Sequence, residues 1–94
     1  MENKSLIPVE ELCAHYNIEI AFISSLSEYE LIELTRVDEI IYVHIDQIRD
    51  IEKMIRLHFE LNINLEGIDA IYHLLKKVDR LESELKYVKR QSED

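Results

Sequence analysis

The chain has 94 residues and a formal net charge of −9, from 11 lysines and arginines against 20 aspartates and glutamates. A chain of this length forms one domain at most and buries only about 60–65% of its unfolded surface, so such domains usually need disulfides, a metal or oligomerisation. Cys13 is the only cysteine, which excludes an internal disulfide, disfavours a cysteine-based metal site and leaves oligomerisation open.

The single thiol and the early residues bear on the cellular compartment. An unpaired cysteine suits a reducing environment, and residues 1–8 have no signal-peptide pattern. No apolar run approaches the roughly 20 residues needed to span a bilayer. We therefore expect a cytoplasmic protein that does not bind a membrane.

The acidic charge is concentrated in the first third of the chain. No lysine or arginine occurs between Ser5 and Thr35. Nucleic acids and anionic membranes are bound through clustered lysine and arginine, so binding to either is not expected. The carboxylates favour a basic protein partner, or they serve only solubility. The acids of this stretch are Glu10, Glu11, Glu19, Glu28, Glu30 and Glu33.

Two short helices are predicted first. Pro8 suits the first turn of a helix, and apolar residues then recur at helical spacing as far as Tyr16. Asn17 can end this helix in a left-handed turn. A second helix is predicted from about Glu19, with apolar positions at Ile20, Phe22, Ile23 and Leu26. Two short helices joined so closely form a helix-turn-helix unit.

A short β-hairpin is predicted next. Leu31–Thr35 and Ile40–Val43 are rich in β-branched and large apolar residues, as strands are. Val37-Asp38-Glu39 lies between them. We interpret this segment as a small wing beside the helix-turn-helix.

A third helix is predicted to begin near His44 or Ile45. Asp46 and Asp50 lie in its early turns, where negative charge interacts favourably with the helix dipole. Its apolar stripe comprises Ile48, Ile51, Ile55 and Phe59, and is widened by Met54, Leu57 and Leu61.

A long final helix is predicted from Leu65 to about Arg90. Asn64 is a good N-cap for it, after the break at residues 62–64. Apolar residues in its later part follow the alternating three–four spacing of a coiled-coil seam. This seam is Ile71, Leu74, Val78, Leu81, Leu85 and Val88. Its side chains can pack within one chain or between two. We divide the chain into a body, 1–64, and this helix, 65–94, as one compact unit.

No pattern in the sequence predicts catalysis or metal binding. Cys13 and His15 are two residues apart, so on a helix they point to different sides. The other histidines follow no ligand spacing, and a single glycine excludes a glycine-rich phosphate loop. We predict no enzyme activity, no cofactor and no metal.

Acidic residues around the second helix are the candidate partner-binding site. Tyr29 lies among them and can be either an aromatic anchor or a half-buried packing residue. The acids could also form an ordinary solvated face. The candidate residues are Glu19, Glu28, Tyr29, Glu30 and Glu33.

This order of elements, from Leu6 to about Gln91, resembles the MerR family of bacterial winged-helix regulators. The segment Arg56–Ile68 is more closely similar to CbpM, the chaperone-modulator branch, with its R-L-x-x-E-L, apolar, short turn, G-I pattern. The resemblance implies a mostly α winged helix-turn-helix with a small β-hairpin wing. It also implies that the C-terminal helix pairs as an antiparallel coiled coil in a homodimer.

The sequence departs from the DNA-reading members of that family. Ser24, Ser25 and Leu26 stand where those members carry an arginine and tyrosines that face the duplex. Their wing is basic with a glycine at its tip, whereas here only Arg36 accompanies Val37-Asp38-Glu39. The residues that such members use to contact DNA are therefore missing.

Resemblance to the CbpM branch implies binding to the J-domain of a CbpA-type or DnaJ-type co-chaperone. The protein would then compete with the Hsp70-type chaperone DnaK. The alternative is a MerR-type transcriptional regulator that binds promoter DNA as a dimer. Charges on the last helix leave its pairing open, because Lys77 with Glu82 and Glu84 with Lys89 have the spacing of a parallel pair.

Overall fold

The computed structural model describes residues 5–92, which form four α-helices and a three-stranded antiparallel sheet. The elements in chain order are β1 (Leu6–Pro8), α1 (Val9–Tyr16), α2 (Ile20–Glu28), β2 (Thr35–Val37), β3 (Ile40–His44), a 3₁₀ turn (Ile45–Gln47), α3 (Ile48–Phe59) and α4 (Leu65–Ser92). This confirms the predicted mostly α fold with a helix-turn-helix, a β wing and a long C-terminal helix. Residues 1–4 and 93–94 of the predicted division lie outside the described residues.

Helix α1 ends as the sequence predicts. Asn17 has φ 57° and ψ 49°, in the left-handed region. The N–H of Ile18 donates to the carbonyl of Cys13 at 3.0 Å, which closes the Schellman turn that commonly ends a helix. Because this turn is so short, α2 follows α1 directly and the helix-turn-helix forms.

Strand β1 was missed by the sequence analysis. It pairs antiparallel with β3, with Leu6 opposite His44 and Pro8 opposite Tyr42. The sheet order is β1-β3-β2, so β1 is an edge strand, where a proline is tolerated. Pro8 is thus the N-cap of α1, one residue before the predicted first turn. Three residues are too few for an alternating pattern to be recognised.

The predicted strand Leu31–Thr35 is wrong, because the strand is β2, Thr35–Val37. The side chain of Gln47 accepts from the N–H of Glu33 at 2.8 Å and donates to its carbonyl at 3.0 Å. These are the backbone groups that a strand would use for pairing. Ile32 is buried, so the apolar character of this segment reflects packing in the core rather than strand formation. The second predicted strand is confirmed as β3.

Helix α3 begins at Ile48, after the 3₁₀ turn, rather than at His44 or Ile45. Its predicted apolar stripe is only partly buried. Ile51 and Met54 have 0% and 1% of their surface exposed, whereas Phe59 and Leu61 have 52% and 63% exposed. The first half of the stripe is therefore buried in the core, whereas Ile55 and Leu57 pack at its edge and Phe59 contacts it through the ring of Phe22, 5.2 Å away between centroids. The buried core of the described residues is Val9, Leu12, Cys13, Phe22, Ile23, Leu26, Ile32, Val43, Ile51, Met54 and Ile68.

The turn into α4 is capped as predicted. The Oδ1 atom of Asn64 accepts from the N–H of Gly67 at 2.8 Å. A Cβ on residue 67 would lie 2.7 Å from the Cγ2 atom of Ile63 and 3.1 Å from the same Oδ1 atom. Glycine is therefore favoured by the close approach of Ile63 and of the capping Asn64 rather than by an unusual backbone conformation.

Helix α4 projects far from the body. Ile68 is its only buried residue within Leu65–Ser92. The Cα radius of gyration is 16.7 Å, against about 12 Å for a compact domain of this length. Within residues 5–92, no helix has the length and apolar character needed to cross a membrane.

Candidate functional site

The predicted acidic residues do not form one group. Glu28 is the last residue of α2, and Glu30 and Glu33 follow in the loop; all three are exposed. Glu19 is the N-cap at the opposite end of α2. A nine-residue helix is about 13 Å long, so Glu19 is separated from the others. We call Glu28, Glu30 and Glu33 the acidic segment.

Tyr29 connects the acidic segment to α4. It is half-buried, and its hydroxyl donates to the Oε2 atom of Glu66 at 3.0 Å. The pKa of Tyr29 is raised, first by this hydrogen bond and then by burial and by nearby carboxylates, including Asp69. Tyr29 is therefore engaged within the chain, in agreement with the packing interpretation.

Glu66 and Asp69 extend the negative charge around Tyr29, and the sequence analysis did not include them. They lie in the first turns of α4, more than thirty residues along the chain from Tyr29. No local pattern could have identified them, because only the packing of α4 brings them close.

Glu30 holds a backbone conformation that normally suits glycine. Its φ is 62°. The N–H of Leu31 donates to the carbonyl of Leu26 at 3.0 Å, and the N–H of Glu30 to that of Ser27 at 2.9 Å. These two bonds form a Schellman motif, in which glycine usually occupies the left-handed position. A side chain in this conformation lowers the free energy of unfolding by about 1 kcal/mol relative to glycine.

We expect Glu30→Gly to be more stable than Glu30→Ala by about 1 kcal/mol, because only glycine lacks the Cβ that opposes φ 62°. Both variants remove the carboxylate, so the difference between their free energies of unfolding reports only the effect of the backbone conformation. Urea denaturation followed by circular dichroism measures it. Equal free energies of unfolding would contradict this account of the turn.

A shallow hollow lies beside the acidic segment, between Glu30 and helices α3 and α4. Tyr72 donates from its hydroxyl to the backbone carbonyl of Asp50 at 3.1 Å. Burial, followed by the charge of Asp50, raises the pKa of Tyr72 to about 12. Lys76 and His73 complete the lining, so this hollow is mixed in charge. The strongly acidic surface therefore ends within α4, after Glu66 and Asp69.

The face of α2 that corresponds to a DNA-reading helix carries no positive charge. Ser24 is exposed and Ser25 is partly buried. Leu26 is fully buried in the core and cannot face a duplex. On the wing, Arg36 is the only basic residue, and the turn beyond it contains Asp38 and Glu39. This surface would repel a phosphate backbone.

Charge is divided between the body and α4. Residues 5–64 carry twelve acidic and four basic side chains, whereas residues 65–92 carry five acidic and six basic ones. The negative potential is therefore centred on the helix-turn-helix and wing. A positively charged partner would approach the body rather than the projecting helix.

The predicted dimerisation residues lie along α4, mostly beyond the body. Ile71 is partly buried near Leu57 and Leu75. The other five are exposed by 46–62%, so a single chain leaves them uncovered. They are Leu74, Val78, Leu81, Leu85 and Val88. We call these five residues and Ile71 the α4 stripe.

The cysteine and histidines do not assemble a metal site. No cluster of three or more potential ligands occurs among the residues that the structure describes. Cys13 is buried in the core, and this burial raises the pKa of its thiol. His58 contacts the ring of Phe22 at 4.8 Å between centroids, and its Nδ1 atom lies 2.9 Å from the carbonyl of Ile63. These groups contribute to packing.

A family model described as MerR HTH family regulatory protein matches residues 7–90. This range covers β1 to the last turns of α4. No curated protein and no solved structure matches the chain.

Proposed function

The chain belongs to the MerR HTH family of regulatory proteins, and we propose that it regulates by binding a protein rather than DNA. The proposed partner is the J-domain of a CbpA-type or DnaJ-type co-chaperone. In occupying the J-domain, the protein competes with DnaK and so restrains the co-chaperone. Similarity of Arg56–Ile68 to the CbpM branch supports this choice of partner.

The observation that carries the proposal is the loss of positive charge where a DNA-reading relative would need it. Helix α2 has no lysine or arginine, and the body has twelve acids against four bases. A J-domain meets DnaK through a helix rich in lysine and arginine, which an acidic surface complements. Complementary charge on the two proteins increases their rate of association and favours the correct partner. A few buried apolar contacts supply most of the affinity.

A homodimer is the second part of the proposal. The α4 stripe leaves large aliphatic side chains uncovered on a helix that projects from the body. Its heptad spacing matches what two helices need to pack against each other. We infer that a second copy covers the stripe, in the antiparallel arrangement of the family.

Isothermal titration of the protein with the purified J-domain tests the proposed partner. We expect binding in the micromolar range or tighter, weakened by salt. Absence of heat and of co-elution at tens of micromolar would contradict it. Gel retardation on promoter DNA tests the alternative, and sequence-specific retention at physiological salt would favour a DNA-binding regulator.

Charge reversal in the acidic segment should weaken this complex. We expect Glu28→Lys with Glu30→Lys to lower affinity for the J-domain about tenfold and to reduce its dependence on salt. Both residues are exposed, so the fold should be retained. The measurement is titration at several salt concentrations.

A matched control makes the same change in charge elsewhere. Glu60 follows α3 and Asp79 lies on the outer side of α4, and both are exposed. Glu60→Lys with Asp79→Lys should bind as the wild type does. If both double variants lose affinity equally, only total charge matters and the acidic segment is not the contact surface.

A further inference from the structure

A groove opens between the start of α1, the start of α2 and the tip of the wing. Its volume is about 350 Å³. It is separate from the acidic segment, which lies at the far end of α2. We call it the wing groove; its lining is Pro8, Val9, Glu10, Glu11, Ile20, Glu39, Ile40 and Ile41.

Two apolar side chains of the wing groove are exposed. Ile20, in the first turn of α2, is 46% exposed, and Ile40, at the start of β3, is 50% exposed. Covering these two branched aliphatic side chains would stabilise a complex, because it removes apolar surface from water.

The rim of the wing groove is acidic. Glu10 and Glu11 lie in the first turn of α1, and Glu39 lies in the turn of the hairpin. Within residues 5–92, none of these carboxylates forms an ion pair, and the lining includes no lysine or arginine. Apolar walls below free carboxylates match a ligand with an apolar residue and flanking positive charges.

We propose that the wing groove binds a basic amphipathic helical segment of a protein partner. One aliphatic or aromatic side chain of the segment enters between Ile20 and Ile40. Its lysine or arginine side chains pair with Glu10, Glu11 and Glu39. DNA and anionic bilayers lack this combination and would be repelled by the rim. The inference rests on the proposed function only in taking the occupant to be a protein.

The test uses a fluorescein-labelled synthetic helical peptide with leucines on one face and lysines and arginines beside them. Its binding to the full chain is followed by fluorescence anisotropy. Ile20→Ser with Ile40→Ser should weaken binding about tenfold or more, as expected for central apolar contacts. Glu10→Gln, Glu11→Gln and Glu39→Gln together should weaken it similarly and flatten its salt dependence.

Matched controls change equivalent residues elsewhere. Ile45→Ser with Leu61→Ser alters two side chains that are 52% and 63% exposed but lie outside the groove. Glu60→Gln, Asp79→Asn and Glu82→Gln remove three exposed carboxylates. These controls should bind the peptide as the wild type does. Equal losses in controls and groove variants, or no loss in the groove variants, would overturn the proposal.

Titration of the isotope-labelled protein with the same peptide locates the contact. Amide shifts should centre on Glu10, Ile20 and Ile40, and shifts centred on the α4 stripe would overturn the proposal. Loss of dimer in the groove variants, measured by analytical ultracentrifugation, would also overturn it, because the occupant would then be a second copy.

The same variants separate this inference from the proposed function. If the peptide binds wild-type protein and groove variants equally while the J-domain binds the wild type, the groove inference fails and the proposed function stands. If the J-domain does not bind but the peptide binds in the groove, the proposed partner fails and the groove inference stands.

Discussion

Replacing Leu81 with lysine is expected to convert the protein from a dimer to a monomer. Leu81 is 55% exposed in the single chain and lies near the centre of the α4 stripe. It would be buried in either a parallel or an antiparallel pair. Because the leucine is lost from both chains, the free energy of association weakens by about 3 kcal/mol or more. The dissociation constant therefore rises about a hundredfold or more. Sedimentation velocity over a range of concentrations measures this.

The matched control is Tyr87→Lys. Tyr87 is 64% exposed on the same helix, but it lies on the side away from the α4 stripe. This variant should remain dimeric. A wild-type protein that is monomeric at high micromolar concentration, or equal effects of the two substitutions, would contradict dimerisation through the stripe.

Engineered cysteines determine whether the two α4 helices of the dimer pair in parallel or antiparallel. Cysteines at Leu74 and Leu85, in a Cys13→Ala background, face each other across an antiparallel pair centred between Val78 and Leu81. Mild oxidation should therefore link the double variant between chains, while Leu85→Cys alone should link weakly. Efficient linking of the single variant indicates a parallel pair.

The second large effect is expected at Ile68. This residue is fully buried and is the only buried anchor of α4 within residues 65–92. Ile68→Ala should lower the free energy of unfolding by about 2–5 kcal/mol, because it leaves a cavity between α4 and the body. Small domains have a free energy of unfolding of only about 5–15 kcal/mol, so this single change removes a large share of the stability.

The experiment at Ile68 is best performed in the monomeric Leu81→Lys background, where dissociation does not contribute to the measured stability. Ile45→Ala is the matched control, because Ile45 is 52% exposed. Ile45→Ala should lower the free energy of unfolding by less than about 0.5 kcal/mol. Equal losses of stability in the two variants would contradict the role of Ile68 as the anchor of α4.

Features with a local chemical signal were predictable from the sequence. The left-handed Asn17 and the capping Asn64 were both identified, because their side-chain chemistry suits these positions. The order of helices and the wing followed from apolar periodicity. Family resemblance added the long-range arrangement, which periodicity alone does not supply.

Features set by distant packing were not predictable. The pairing of β1 with β3 spans more than thirty residues, and the hydrogen bonds of Gln47 with Glu33 replace an expected strand. Glu66 approaches Tyr29 only because the first turn of α4 packs beside the loop after α2. Glu19 lies apart from the other candidate acids because it is at the start of α2 and they are at its end, a separation that the predicted start of this helix near Glu19 already implied.

The position of β1 also determines the order in which the chain can fold. Leu6 pairs with His44, 38 residues later, whereas α1 with α2 and β2 with β3 are contacts between neighbours. Closing a long loop costs entropy before any contact compensates for it. During synthesis, the first strand therefore waits without a partner until β3 has left the ribosome. We expect this strand to be the last part of the sheet to gain protection against hydrogen exchange.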